Sequence, residues 1–147
     1  MRIHRLEGRE IGKALAVGVL VSLILSAVMV PAFALGLAPM PKQPSLAFAE
    51  TLLGRPLPLP VGLLFHVAYL TFWTLAFVVL FRDNLSFWNA LALSLFLWVV
   101  ILVVFFPFMG WGFLGLGVSP KLIPASLVPH VLYAVVLWGL CRWAFAR

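Results

Sequence analysis

Charge is scarce in this chain. Asp, Glu, Lys and Arg make up 10% of its 147 residues, against roughly a quarter in a soluble domain. The acids are Glu7, Glu10, Glu50 and Asp83, and all of them fall outside the long apolar runs. That removes the buried carboxylate pair required for proton relay or general acid–base work, and with it the intramembrane charges of a pump or ion channel. Cys141 is the single cysteine, so an internal disulfide and a cysteine-based metal framework are both excluded. Ser22, Ser26, Ser94, Ser119 and Ser126 have no neighbouring acid–histidine arrangement to activate a nucleophile. No glycine-rich phosphate loop follows a strand pattern. The apolar/polar alternation of a membrane barrel is missing as well.

What remains is hydrophobic length. Apolar residues make up 65% of the sequence and the mean hydropathy is +1.17. Four runs stand out, over about 14–38, 61–81, 89–109 and 125–145. Each is near or above the ~20 residues a helix needs to cross a bilayer core. Backbone polar groups in lipid must be satisfied within the segment, so the expected fold is all-α, with four transmembrane helices in one domain. The spans leave no room for a separate soluble domain.

The net charge of +6 is topology information and not a nucleic-acid footprint, because the basic residues punctuate the runs. Arg2, Arg5, Arg9, Lys13, Arg82, Arg142 and Arg147 fall on one side, and Lys42, Arg55 and Lys121 on the other. The positive-inside bias puts both termini and the turn "RDNLSF" in the cytoplasm of a bacterial inner-membrane protein. The basic start followed by "PAFA", with Ala32 and Ala34 in small-x-small spacing, also has the form of a signal peptide. Its apolar stretch is longer than a usual signal core, which favours an uncleaved first span.

The loop over 39–60 predicts a short interfacial helix, N-capped by Ser45 and ended by Gly54. Leu46, Phe48, Ala49, Leu52 and Leu53 give it an apolar side to lay on the membrane surface. "RPLPLP" then runs extended to the second span, with Pro60 in that helix's first turn. The loop "GWGFLGLGVSPKLIP" predicts an irregular, surface or partly re-entrant segment.

The chain repeats itself. Residues 60–69, "PVGLLFHVAY", and 124–133, "PASLVPHVLY", both read Pro-x5-His-x2-Tyr. Each half also has a proline near the outer end of its first span, Pro31 in "VMVPAF" and Pro107 in "VFFPFM". Two tandem helical hairpins follow, related by an axis along the membrane normal. His66 and His130 would lie ~8 Å below the outer surface at matched depth, with Tyr69 and Tyr133 one turn deeper.

The pair admits several readings. Each imidazole can join helices by bonding a tyrosine, a neighbouring helix or a carbonyl freed by Pro31 or Pro107. The two can be axial ligands of a b-type haem in an electron-transfer module. Two histidines are short of the ligands a zinc or copper site wants, so no metal is expected. A small-ligand or proton-linked site is the remaining reading. Ala14, Gly18, Ser22 and Ser26 form a small-residue stripe for close helix packing, within the bundle or against another copy or subunit. Trp88 and Trp143 suit one membrane interface and Trp111 the other.

The stretch from His66 to Trp143 resembles the YagU-like bacterial inner-membrane proteins. The landmarks are a histidine early in one span, "SFWNALALS" opening the next, "FPFMG" at 106–110 closing it, and "PHVLY" early in the last, with "SAVMVP" at 26–31 before them. The resemblance implies a multi-span inner-membrane protein without an agreed activity. The reading reached from the residues is a non-enzymatic membrane protein in contact with lipid, accessory, structural or stress-related, or a small subunit of a larger complex. The alternatives are the haem module and a small-molecule transporter or ligand-binding protein.

Overall fold

The computed structural model describes residues 6–146. Arg2, Arg5 and Arg147, three of the basic residues that set the expected topology, lie outside them. Among the described residues four helices are long and apolar enough to cross a membrane: α1 (Gly8–Ala34), α3 (Leu59–Phe81), α4 (Phe87–Phe108) and α5 (Leu122–Phe145). The short α2 (Pro44–Leu53) lies in the connection from α1 to α3. Strands are absent among the described residues. The chain is a multi-pass α-helical membrane protein.

The helix ends depart from the apolar runs for local reasons. α1 begins six residues before its run, because Glu7 and Glu10 form a capping box in which the Glu7 N–H donates to the Glu10 carboxylate (3.3 Å). α2 is capped by Gln43, not by the expected Ser45. Pro44 has no N–H to lose and its φ is preset for the first helical position, so the helix starts two residues earlier than expected. Gly54 ends α2 in the left-handed region at φ 66°, as expected. α3 carries Pro60 in its first turn. α4 is N-capped by Ser86, whose hydroxyl accepts from the Asn89 N–H (3.3 Å). Between Ile101 and Phe105 it widens to π geometry, with the Phe106 N–H reaching back to the Ile101 carbonyl. Pro107 lacks the donor that would bond residue 103 and its ring crowds that carbonyl, so the turn before it loosens.

α1 pairs with α3, and α4 with α5, as two tandem hairpins. The first is tight: a Cβ on Gly18 would fall 2.6 Å from the Thr71 Cα. The second is held by polar bonds. Trp98 Nε1 donates to the Ile123 carbonyl (3.2 Å) and the Ser126 hydroxyl (3.1 Å), and the Ser94 hydroxyl donates to the His130 carbonyl.

The hairpins meet along two seams that an exact two-fold would make equal. α1 packs closely on α5, whereas α3 and α4 scarcely approach and are bridged by rings: Trp73 to Phe96 (6.1 Å) and Tyr69 to Phe105 (5.8 Å). Only the first connection carries an inserted helix. α2 packs on α3, where Gly62 would place a Cβ 2.7 Å from that of Leu46, and Phe48 wedges against Phe65 (6.1 Å), Phe105 (5.2 Å) and Phe108 (5.3 Å). The expected apolar side of α2 is therefore divided. Phe48 and Ala49 turn into the protein, as Ala47 beside them does, while Leu52 and Leu53 remain exposed.

The end of the bundle that carries Arg82 is packed and tied. Ala14, Val21, Phe77, Val78, Leu137 and Cys141 are fully buried in one core. Glu10 pairs with Arg82 at 2.8 Å, Lys13 donates to the Ala144 carbonyl (3.0 Å), and both cations lie over the Phe145 ring. At the other end the loop after α4 folds back through left-handed Gly110, Gly112 and Gly115. This turn buries Trp111 against Phe106 (5.3 Å), so Trp111 is a packing residue and not the interface anchor its position implies.

Candidate outer-cavity site

His66, Tyr69, His130 and Tyr133 all line one cavity of about 360 Å³ beneath α2. Its walls come from every helix: Leu25, Ser26 and Met29 of α1, Phe48 of α2, Leu63 to Leu70 of α3, and Ile101 and Phe105 of the π segment. The matched Pro-x5-His-x2-Tyr spacing sets equal depth on α3 and α5, and the separation of α3 from α4 leaves the space between them. Phe48 and Gln43 close it from above. Ala68, exposed on α3, belongs to the same lining, so the cavity reaches the bilayer-facing surface there.

The two histidines differ. His130 Nδ1–H donates to the Ser126 carbonyl one turn back on its own helix (2.6 Å). That bond fixes the tautomer and leaves Nε2 with the lone pair. His66 Nε2 is buried without a hydrogen-bond partner. Neither ring bonds a carbonyl freed by Pro31 or Pro107, both of which face outward. Tyr133 is 2% exposed and its hydroxyl faces that of Thr74 on α3 without a well-formed hydrogen bond; Gln43 Oε1 is buried without a partner. Five buried side-chain atoms among the described residues lack a partner, the other two being the hydroxyls of Thr71 and Thr74 on α3. Three of the five belong to residues that line this cavity. A buried polar group left unpaired costs about 1–3 kcal/mol, which makes such a concentration informative.

The small-residue stripe divides along α1. Ala14, Gly18 and Ser22 are buried in the packed half, with the Ser22 hydroxyl donating to the Val19 carbonyl (2.7 Å), whereas Ser26 lines the cavity. Among the described residues no cluster of three or more His, Cys, Asp or Glu is poised to hold a metal ion. The lining carries no Lys or Arg to meet a haem's propionates. Sequence reasoning passed over Gln43, Phe48 and Phe105. The proline after Gln43 is a signal for it, and Pro107, two residues on, for Phe105; the apolar side of α2 that includes Phe48 points by pattern alone to the membrane surface.

No family model matches the chain, and comparison with curated proteins and with solved structures finds no match.

Proposed function

We propose that this is a non-enzymatic inner-membrane protein that binds a small, predominantly apolar molecule in the cavity beneath α2. The observation that carries the reading is a predominantly apolar space lined by His66, His130 and Gln43, in which the buried Gln43 Oε1 and His66 Nε2 have no hydrogen-bond partner. An apolar pocket with a few convergent polar groups is the usual form of a small-molecule site. The lining brings no acid, nucleophile–base pair or cation to the space, which favours holding a molecule over transforming it.

The charge distribution supports cytoplasmic placement of Arg82, Arg142 and both ends of the chain, with α2 and the cavity on the outer side. "SFWNALALS", "FPFMG" and "PHVLY" support a place among YagU-like inner-membrane proteins. A reporter fused after Arg147 should behave as cytoplasmic; an outward-facing reporter inverts the arrangement.

Binding is tested on the purified full chain with the neutral dye N-phenylnaphthylamine, whose emission rises in apolar sites. Saturable enhancement is expected, and it should vanish in Ser26→Trp, which fills the cavity from α1. Equal enhancement in the folded Ser26→Trp variant would place the dye elsewhere and remove the reading.

A further inference from the structure

We infer that the outer part of the cavity binds a soft monovalent cation of the Cu(I) class, through the His66 imidazole and the thioethers of Met29, Met40 and Met109. The inference goes beyond an apolar occupant and does not rest on one. A bare ion fills little of about 360 Å³, and all of its ligands are neutral.

The placement of the methionines carries it. The chain has four, and the three that follow Met1 all line this one cavity. They come from separate parts of the fold: Met29 from α1, Met40 from the connection before α2, and Met109 from the end of α4. Methionine as a gap-filler goes wherever a core is irregular, yet the packed core toward Arg82 contains none.

Helix register brings these side chains toward His66. The rings of Tyr69 and Phe105 meet at 5.8 Å, and one turn outward from that contact stand His66 on α3 and Met109 at the end of α4. Met40 is 8% exposed and shares the apolar cluster around Phe106 with Met109. On the other wall Gly18 meets Thr71. Counting outward from there along the antiparallel pair sets Met29 level with Pro60, about 9 Å beyond His66 along the axis. Side chains tilt toward the N-terminus of their helix, so Met29 leans inward and His66 outward, which closes that interval. His66 Nε2 is buried without a hydrogen-bond partner, and neutral imidazole is the commonest metal ligand.

The chemistry of the donors selects the ion. Two histidines alone fall short of a copper or zinc site, and the thioethers supply the missing ligands. Thioether sulfur is soft and uncharged, which suits Cu(I) and serves hard divalent cations poorly. The lining has no Asp, Glu or Cys. A divalent ion would therefore leave two charges uncompensated in a low dielectric, against one for Cu(I). Cys141 lies fully buried in the packed core, away from this lining.

The test loads the purified full chain, in detergent and chloride-free buffer, with Ag(I), a redox-stable analogue of Cu(I). Bound metal is counted after gel filtration. The native chain should hold one ion more than the triple variant Met29→Leu, Met40→Leu, Met109→Leu; Cys141 and the chain ends are common to both and cancel. Leucine nearly conserves the volume of methionine, so the variant keeps the fold, which its melting profile verifies. Two single variants serve if the triple one does not fold. His66→Leu and Met109→Leu should each weaken Cu(I), measured anaerobically against bicinchoninate, by at least about tenfold. Zn(II) should bind far more weakly than Cu(I). Equal Ag(I) on the native chain and the folded triple variant overturns the inference. So does native Cu(I) affinity in His66→Leu or Met109→Leu, or a Zn(II) affinity matching that of Cu(I). The dye titration, run without metal, decides the apolar occupant separately.

Discussion

The two halves of the bundle use the same helices in opposite ways. Toward Arg82, α1, α3 and α5 fill the interior with closely packed apolar side chains, and the Glu10–Arg82 ion pair and cation–ring contacts tie the ends. Toward α2 the same helices enclose a space, with rings and a short helix standing in for helix–helix contact. In lipid there is no hydrophobic drive between helices, and association depends on close packing and polar bonds. The packed half therefore holds the bundle together, which leaves the hollow half free to carry unpaired polar atoms. A two-fold repeat of identical hairpins would have distributed packing evenly between both seams. The insertion of α2, with Phe48 as its wedge, is what opens one seam and not the other.

The largest expected effect breaks the packed half. Gly18→Leu drives a side chain into the Thr71 backbone, where even a Cβ would sit 2.6 Å from the Cα. It should lower stability by about 3 kcal/mol, read as an earlier thermal transition in detergent. Gly139→Leu on α5 is the control: nothing lies within 4 Å of its added Cβ, and the transition should move by less than about 0.5 kcal/mol equivalent. Similar losses in both variants would mean that the close α1–α3 approach is not what stabilises this half.

Phe48→Ala attacks the hollow half. It removes ring contacts to Phe65, Phe105 and Phe108, worth about 1–2 kcal/mol together. The loss should be local. Amide exchange in α2 should accelerate roughly tenfold while α1 and α5 near Arg82 stay protected. Acceleration spread evenly over all four spans would show that the cap is part of the global fold and not a separate element.

A smaller effect separates polar atoms that hold the fold from those that do not. Trp98→Phe removes the indole bond to Ile123 and Ser126 and should lower stability by about 1 kcal/mol. Tyr133→Phe deletes a hydroxyl that makes no well-formed bond to its one polar neighbour, Thr74, and should leave stability unchanged or slightly raised. A loss in Tyr133→Phe equal to that in Trp98→Phe would mean the tyrosine is a structural bond after all.

Much of this arrangement was legible in the sequence. Run length reports spans because desolvating a helix in lipid depends on its own side chains, and so the four helices and their pairing follow from "VGLLFHVAYLTF" and its counterparts. The Pro-x5-His-x2-Tyr spacing placed His66 and His130 at one depth through helix geometry alone. The cavity between them was not legible. It depends on how far α3 stands from α4, which is a tertiary quantity that no local pattern encodes. Phe48 and Ala49 read as part of a membrane-facing stripe because amphipathicity shows that a face is apolar and not what covers it. The early start of α1 came from Glu7 and Glu10, a capping device that hydropathy ignores.

The smallest effect sharpens how α2 is held over the cavity. The Glu50 carboxylate accepts from Lys42 Nζ (2.5 Å) and from the Leu57 N–H (3.1 Å), pinning the end of α2 to the extended stretch that leads into α3. The Lys42 bond first and the Leu57 bond second hold its pKa below the ordinary value of 4.5. A depressed carboxylate pKa means that the folded loop gains from the charged form. The gain is fully present above the unfolded value and is lost as pH falls through the lower, folded one. The Leu57 amide resonance should therefore be flat above pH 4.5 or so and shift with a midpoint below it. Glu50→Gln should abolish that step while leaving the helices near Arg82 untouched. A midpoint at or above 4.5 would mean that Lys42 and Leu57 do not hold the charged carboxylate in solution, and that Phe48 alone keeps the cap in place.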